Sequence, residues 1–200
     1  MAYLLTDMLR LVRAELQDSG ESSWSDGELE PHIKLTLMDI DEASPYEVKE
    51  TVTLTSASPF VDVSTITDLI EVIAAYYPIT DTIEYFKNKR NVERFGNTIR
   101  IETTLRPSGN AEEAYLECEK KHTLTELVST LNSAQEKVLV LGSASRAARS
   151  KSRTQINRQN VGGGKVPINM MTWGQLEEAK FRAALAQITK QRTCQLYPRN

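Results

Sequence analysis

The sequence predicts an α+β fold, mainly a helical bundle carrying an inserted small antiparallel β-unit. Two observations predict it. Apolar residues recur at helical spacing in residues 5–17, from Leu29 onward, and again after Ser133. Between Glu47 and Glu119 the apolar period drops to two, with turn signals separating the alternating runs. This divides the chain into an N-terminal helical pair (1–45), the β-unit (46–125) and C-terminal helices with a basic, glycine-containing hinge (126–200). The helical parts are expected to form one domain. A chain of 200 residues can bury a core without disulfides or structural metal.

Taken in order, Leu5, Met8, Leu9, Val12 and Leu16 share one helical face, with Asp7, Arg10, Arg13 and Glu15 off it. Thr6 or Asp7 serves the first free amides. After the turn Asp18-Ser19-Gly20-Glu21-Ser22-Ser23, the run Ser25-Asp26-Gly27-Glu28 is a capping box. It precedes Leu29, Ile33, Leu37 and Ile40 at helical spacing. Pro31 removes a hydrogen bond there, so a kink or a helix restarting at Pro31 is expected. Trp24, just before the cap, is placed to staple the two helices.

In the β-unit, Val48, Val52 and Leu54 alternate with Lys49, Thr51 and Thr53; Ile70, Val72, Ala74 and Tyr76 form a second run. Ile83 and Tyr85, then Ile99, Ile101, Thr103 and Leu105, then Leu116 and Cys118 continue the pattern. Phe95-Gly96-Asn97-Thr98 carries hairpin-turn chemistry, and Arg106-Pro107-Ser108-Gly109-Asn110 joins the next pair. Short, Thr-rich strands suit a unit that presents loops and edges rather than a main core.

The last third reads as two helices opened by capping boxes at Ser133-Ala134-Gln135-Glu136 and Thr172-Trp173-Gly174-Gln175. Gly142, Ser143, Ala144, Ser145, Ala147 and Ala148 put small residues on several faces of the first, which suits a helix surrounded by other helices. Phe181, Ala184, Leu185 and Ile188, extended by Trp173 and Leu176, give the second its apolar face. Residues after Lys190 have no pattern of their own and read as frayed or ordered by a partner. Val161 to Lys165 reads as a hinge.

Charge is uneven. From Arg146 onward the chain has 11 Lys and Arg against Glu177 and Glu178, a net +9, which leaves −12 for the residues before it. Arg146, Arg149, Lys151, Arg153, Arg158 and Lys165 form the basic patch expected to meet something negative, either nucleic acid or an acidic protein surface. Aromatic residues for stacking and a base-reading helix are missing from it, so only non-specific contact with DNA phosphates fits.

Motif searches return no chemistry. Val161-Gly162-Gly163-Gly164-Lys165-Val166 lacks the spacing, the following Ser or Thr and the preceding strand of a phosphate loop. Gly142-Ser143-Ala144-Ser145 lacks the second glycine of a nucleophile elbow. Cys118 and His122 would lie about 13 Å apart along a strand, too far to share a metal ion. No catalytic, cofactor-binding or metal-binding residues are assigned, and an enzyme is not expected. No apolar run suggests a membrane span, and the charged N-terminal helix does not read as a signal peptide. The two cysteines, Cys118 and Cys194, fit no disulfide motif and suit a reducing compartment.

The helix LLTDMLRLVRAEL, a turn and WSDGEL opening a second helix resemble the start of tailed-phage head–tail adaptor (connector, head-completion) proteins, where a similar Trp-Ser-Asp-x-Glu-Leu step joins the first two helices. The strands that follow, the helix KVLVLGSASRAARS, a basic linker and a final WGQLEEAKFRAAL helix are similar in order. Pro31 and the large β-insertion depart from the pattern of minimal helical adaptors. The resemblance implies a structural virion protein at the head–tail junction, assembled in the host cytoplasm into a homo-oligomeric ring, typically of twelve copies. Such a ring sits under the portal protein, extends the DNA channel past packaged double-stranded DNA and docks the neck or tail protein below. It implies portal docking through Trp173, Leu176, Phe181, Leu185 and Tyr197, with no cofactor and no membrane. A neck stopper or tail-completion protein, and in another class a non-specific DNA-binding packaging accessory protein, are the alternatives.

Overall fold

The computed structural model describes residues 3–18, 20, 23–54, 58–78, 89–102, 112–158 and 166–195; at 156–158, 166–167 and 190–195 it describes the backbone alone. Among the described residues there are four helices, 49% of the chain, and antiparallel strands, 27%, so the α+β class holds. The chain divides into two compact units, Met1–Ser44 with His122–Asn200, and Pro45–Lys121.

The first unit contains α1 (Leu5–Glu15), α2 (Asp26–Ala43), α3 (Ser133–Arg158) and α4 (Val166–Gln195). The α1 stripe is buried at Met8, Leu9 and Val12, and these join Leu29, Ile33, Ile40, Leu139, Ala144 and Phe181 in one core. Burying such side chains is worth about 1.5–3 kcal/mol each and drives the packing. Helix α3 packs against α1, α2 and α4, and its small residues account for this. Ser143, Ala144, Ser145, Ala147 and Ala148 are all buried.

Capping follows the sequence reading at two helix starts and departs from it at the other two. At α2 the box stands as expected: Glu28 accepts from Ser25 N–H at 2.8 Å. At α1 the Asp7 carboxylate accepts from Leu4 N–H at 3.4 Å. At α3 the box sits one residue earlier than expected. Asn132 Oδ1 accepts from Ala134 and Gln135 N–H at 2.9 and 3.0 Å, and Gln135 accepts from Asn132 N–H at 2.9 Å. Asn132 takes the cap from Ser133 because its carbonyl reaches two free amides at once. At α4 the expected box at Thr172 is absent, because the helix begins six residues earlier, at Val166. Pro167 falls in the first turn, where its missing N–H has no acceptor to lose, and Thr172 Oγ1 donates to Ile168 O at 3.0 Å inside the helix.

The helix restart expected at Pro31 does not occur: α2 is continuous through it, and Leu29 and Ile33, fully buried on either side, hold it against the loss of one bond near its start. Helix α4 continues past Lys190 to Gln195, since each added residue of a formed helix gains a bond without needing an apolar face. The expected hinge at 161–165 lies outside the described residues.

The α1–α2 junction is built on Arg13, which is buried rather than solvated. Arg13 donates to Trp24 O at 2.5 Å and to Asp26 Oδ1 at 2.6 Å, with Asp18 Oδ2 3.6 Å away. Asp18 accepts in turn from Ser23 and Trp24 N–H, both at 3.0 Å. Trp24 and Leu29, the staple positions about Ser25, are buried in the same core. At the other end of α2, His122 N–H donates to Asp41 Oδ1 at 2.7 Å, and its Nε2 lies 2.9 Å from Ser44 O.

The second unit pairs β1 (Tyr46–Leu54), β7 (Glu112–Lys120), β3 (Leu69–Tyr76) and β4 (Lys89–Arg90) in the order β1-β7-β3-β4. A second sheet has β2 (Phe60–Asp62), β6 (Thr98–Ile101) and β5 (Val92–Phe95) in the order β2-β6-β5. Both are antiparallel. The turn expected at 95–98 is present: Phe95 pairs with Thr98 and Gly96 has φ +62°, which glycine adopts without steric cost. The unit has a core of its own, including Leu54, Val61, Ile99, Ile101, Leu116 and Cys118, so it is more than a presenter of loops. The simple alternation expected over Ile70–Tyr76 fails, because register shifts in β3 bury Ala74, Ala75 and Tyr76 in succession. Strands β2, β4 and β5 have no counterpart among the alternating runs; the runs at Ile83–Tyr85 and Thr103–Leu105 lie outside the described residues.

Candidate interaction surface

Of the residues that the resemblance assigns to portal docking, most serve the core of the helical unit. Phe181 is 4% exposed and central to it, while Trp173 and Leu185 pack against it partly buried. Leu176 alone among those described is exposed, at 57%. Tyr197 lies outside the described residues. The apolar face of α4 exists but is not a free one, because α3 already covers it.

The basic patch is altered in the same way. Arg146 pairs with Asp39 of α2, donates to Thr36 Oγ1 at 3.1 Å and lies 5.7 Å from the Phe181 ring centroid. Arg149 pairs with Glu178 of α4. The Lys151 ammonium stands 4.3 Å from the Trp24 ring centroid. Arg153 is exposed, and the side chains of Arg158 and Lys165 lie outside the described part. Two of the four described cations thus neutralise carboxylates of neighbouring helices, and the +9 end is less free than its sequence suggests.

Three of these cations line a groove between α2 and α3 bounded by His32, Leu35, Arg146, Arg149, Ser150 and Arg153. Burial, reinforced by the Arg146 charge, holds the His32 imidazole below its ordinary pKa, so it is neutral at pH 7. At the α2 start the Ser25 amide holds the Glu28 carboxyl below its usual range. Leu35 of this groove and Met38, one turn farther along α2, are 52% and 64% exposed.

Sequence reasoning missed that ridge, although a signal was present: Leu35 and Met38 fall off the Leu29–Ile33–Leu37–Ile40 stripe. It also missed the turn at Leu127 and Val128, which carries no periodic pattern. Leu127 is 87% exposed on an ordered turn. Among the described residues no group of three or more His, Cys, Asp or Glu is arranged to hold a metal ion. No helix there is long and apolar enough to cross a membrane. No model of a known protein family matches the chain, and no curated protein matches it.

Proposed function

We propose that the protein is a structural head–tail adaptor of a tailed phage, one subunit of a ring seated under the portal. The ring extends the DNA channel and docks the neck or tail component below. The observation that carries the reading is the Trp24-Ser25-Asp26 step, at which Arg13 and Asp18 lock the first two helices together. This is the feature by which the sequence resembles adaptors, and its side chains are committed to the junction itself. The order α1, α2, β-unit, α3, α4 follows the same pattern. A closely packed helical unit suits a wedge repeated about an axis, where each subunit needs two different contact patches.

Pairing of Arg146 with Asp39 and of Arg149 with Glu178 favours this reading over a DNA-binding accessory role, since those cations are spent within the fold. Mixing the purified chain with isolated portal and imaging the product by electron microscopy tests it. The expected result is an added ring of density beneath the portal. A portal that never gains one overturns the proposal.

A further inference from the structure

The geometry points to a specific self-docking contact: the turn Glu126-Leu127-Val128 of one copy seats in the α2–α3 groove of the next. It rests on the adaptor reading for its ring, but the two surfaces are argued from the fold itself.

The turn is preorganised. Thr125 N–H donates to Val128 O at 2.8 Å, and Thr125 Oγ1 accepts from Val128 and Leu127 N–H at 3.0 and 3.3 Å. Thr125 O accepts from Leu5 N–H at 3.0 Å, which ties the turn to the start of α1. Two large apolar side chains, Leu127 and Val128, are therefore held in water by a rigid backbone beside the exposed carboxylate of Glu126. A segment already fixed in shape loses little entropy on docking.

The groove is its chemical complement. Leu35, with Met38 one turn farther along α2, offers an apolar ridge, and the exposed Arg153 offers positive charge on the α3 wall, where Arg146 and Arg149 are already paired. The neutral His32 adds no charge to the opposite wall. An acidic tip with a leucine at its apex matches a basic groove with a leucine on its edge in both polarity and sign.

Distance makes the contact one between copies. The turn lies at the N-terminal end of α3, whereas the groove centres near Arg149, about 25 Å farther along the same helix at 1.5 Å per residue. One copy cannot close the contact on itself. Two different patches on one element fit a heterologous interface, which closes into a ring where the rotation between copies allows it.

The test uses the full chain, alone and on isolated portal, with two surface variants. Leu127→Asp removes the turn's apex and Leu35→Asp spoils the groove; both sites are exposed, and circular dichroism melting checks that each still folds. Each variant alone is expected to lose self-association by about tenfold or more, the effect of removing a central apolar anchor. An equal mixture of the two is expected to form a heterodimer and nothing larger, because one intact turn and one intact groove remain. Charge reversal gives a second readout: Glu126→Arg and Arg153→Glu should each weaken assembly, and together restore it.

A mixture that stays monomeric while the unmodified chain assembles overturns the contact. So does a chain that remains monomeric alone and on portal, with a Ser150→Cys thiol in the groove protected only when a different virion protein is added. If both variants still add a full ring to the portal, this interface falls and the adaptor reading stands. If the heterodimer forms but no copy binds portal, the contact stands and the adaptor reading falls.

Discussion

Gly142 of α3 faces Thr36 of α2 so closely that a β-carbon on Gly142 would lie 2.5 Å from Thr36 Cγ2 and 2.7 Å from the Phe181 ring. Thr36 cannot swing aside without loss: its hydroxyl donates to His32 O at 2.8 Å and accepts from Arg146 at 3.1 Å. Gly142→Ala should therefore overpack the helical unit at a cost of about 1–3 kcal/mol, partly offset by about 1 kcal/mol of helix propensity. The net expectation is a loss of up to about 2 kcal/mol. Gly27→Ala in the first turn of α2 meets nothing within 4 Å, and should stabilise by about 0.5–1 kcal/mol. Urea midpoints followed by tryptophan emission measure both, since both tryptophans, Trp24 and Trp173, belong to this unit.

Arg13 supplies a second expectation. It is 5% exposed, and its guanidinium faces Trp24 O, Asp26 and the equally buried Asp18. Arg13→Met keeps the aliphatic stem but takes the counter-charge from the buried Asp18 carboxylate, which keeps the Ser23 and Trp24 amides, and removes the donor to the Trp24 carbonyl. Removing one partner from such a buried set costs about 3–5 kcal/mol, far more than the pair itself contributes. In the same urea titration Arg13→Met should lose more stability than Gly142→Ala. A change under about 1 kcal/mol would mean that the junction is held by Trp24 and Leu29 packing alone.

The helical pattern was legible because period and burial coincide: Met8, Val12, Leu29, Ile33 and Ile40 are core residues in both sequence and structure. The same logic misplaces Arg13, since periodicity puts a residue on a face without saying whether a carbonyl and two carboxylates converge there. It misplaces the α4 start because Thr172 carries capping chemistry at a point where no free amide exists. In the β-unit, β1 alternates throughout and its nine-residue partner β7 alternates up to Cys118, where the buried Glu119 breaks the pattern, so both were visible, whereas β3 is bulged and β4 is two residues long. The candidate site was least legible. Phe181 and Arg146 look like surface chemistry in sequence, and only the close approach of α2, α3 and α4 shows them turned inward.

The β-unit should lose stability in alkali through two named groups. Burial, then the Glu50 charge, pushes the Cys118 thiol from 9.0 up to about 11. Burial, then the Glu112 hydrogen bond and charge, pushes the Tyr77 phenol from 10.0 up to about 12. Both groups are neutral when protonated, and the folded state holds each proton where the unfolded chain releases it. Their contribution is thus complete below about pH 9 and falls away as pH rises through 11 and 12. Tyr77→Phe with Cys118→Ala should flatten the melting temperature of this unit between pH 9 and pH 11 relative to the unmodified chain. Thiol reagents should also fail to label native Cys118 at about pH 8, because the thiol is both buried and protonated.

Neutralising the basic patch as a block would mix two effects that single variants separate. Arg146→Gln releases Asp39 and gives up the Thr36 bond and the Phe181 ring contact. Because the pair is about a third exposed, the expected loss is only about 1–2 kcal/mol of stability in the helical unit. Arg153 is exposed, and Arg153→Gln should leave the melting transition within about 0.5 kcal/mol of the unmodified chain. If the groove serves assembly, Arg153→Gln should weaken ring formation on the portal without touching stability, and Arg146→Gln should lower stability first. Sedimentation velocity beside thermal melting distinguishes them. Equal assembly of Arg153→Gln and the unmodified chain would return Arg153 to an ordinary solvated cation and remove the charge argument for the groove.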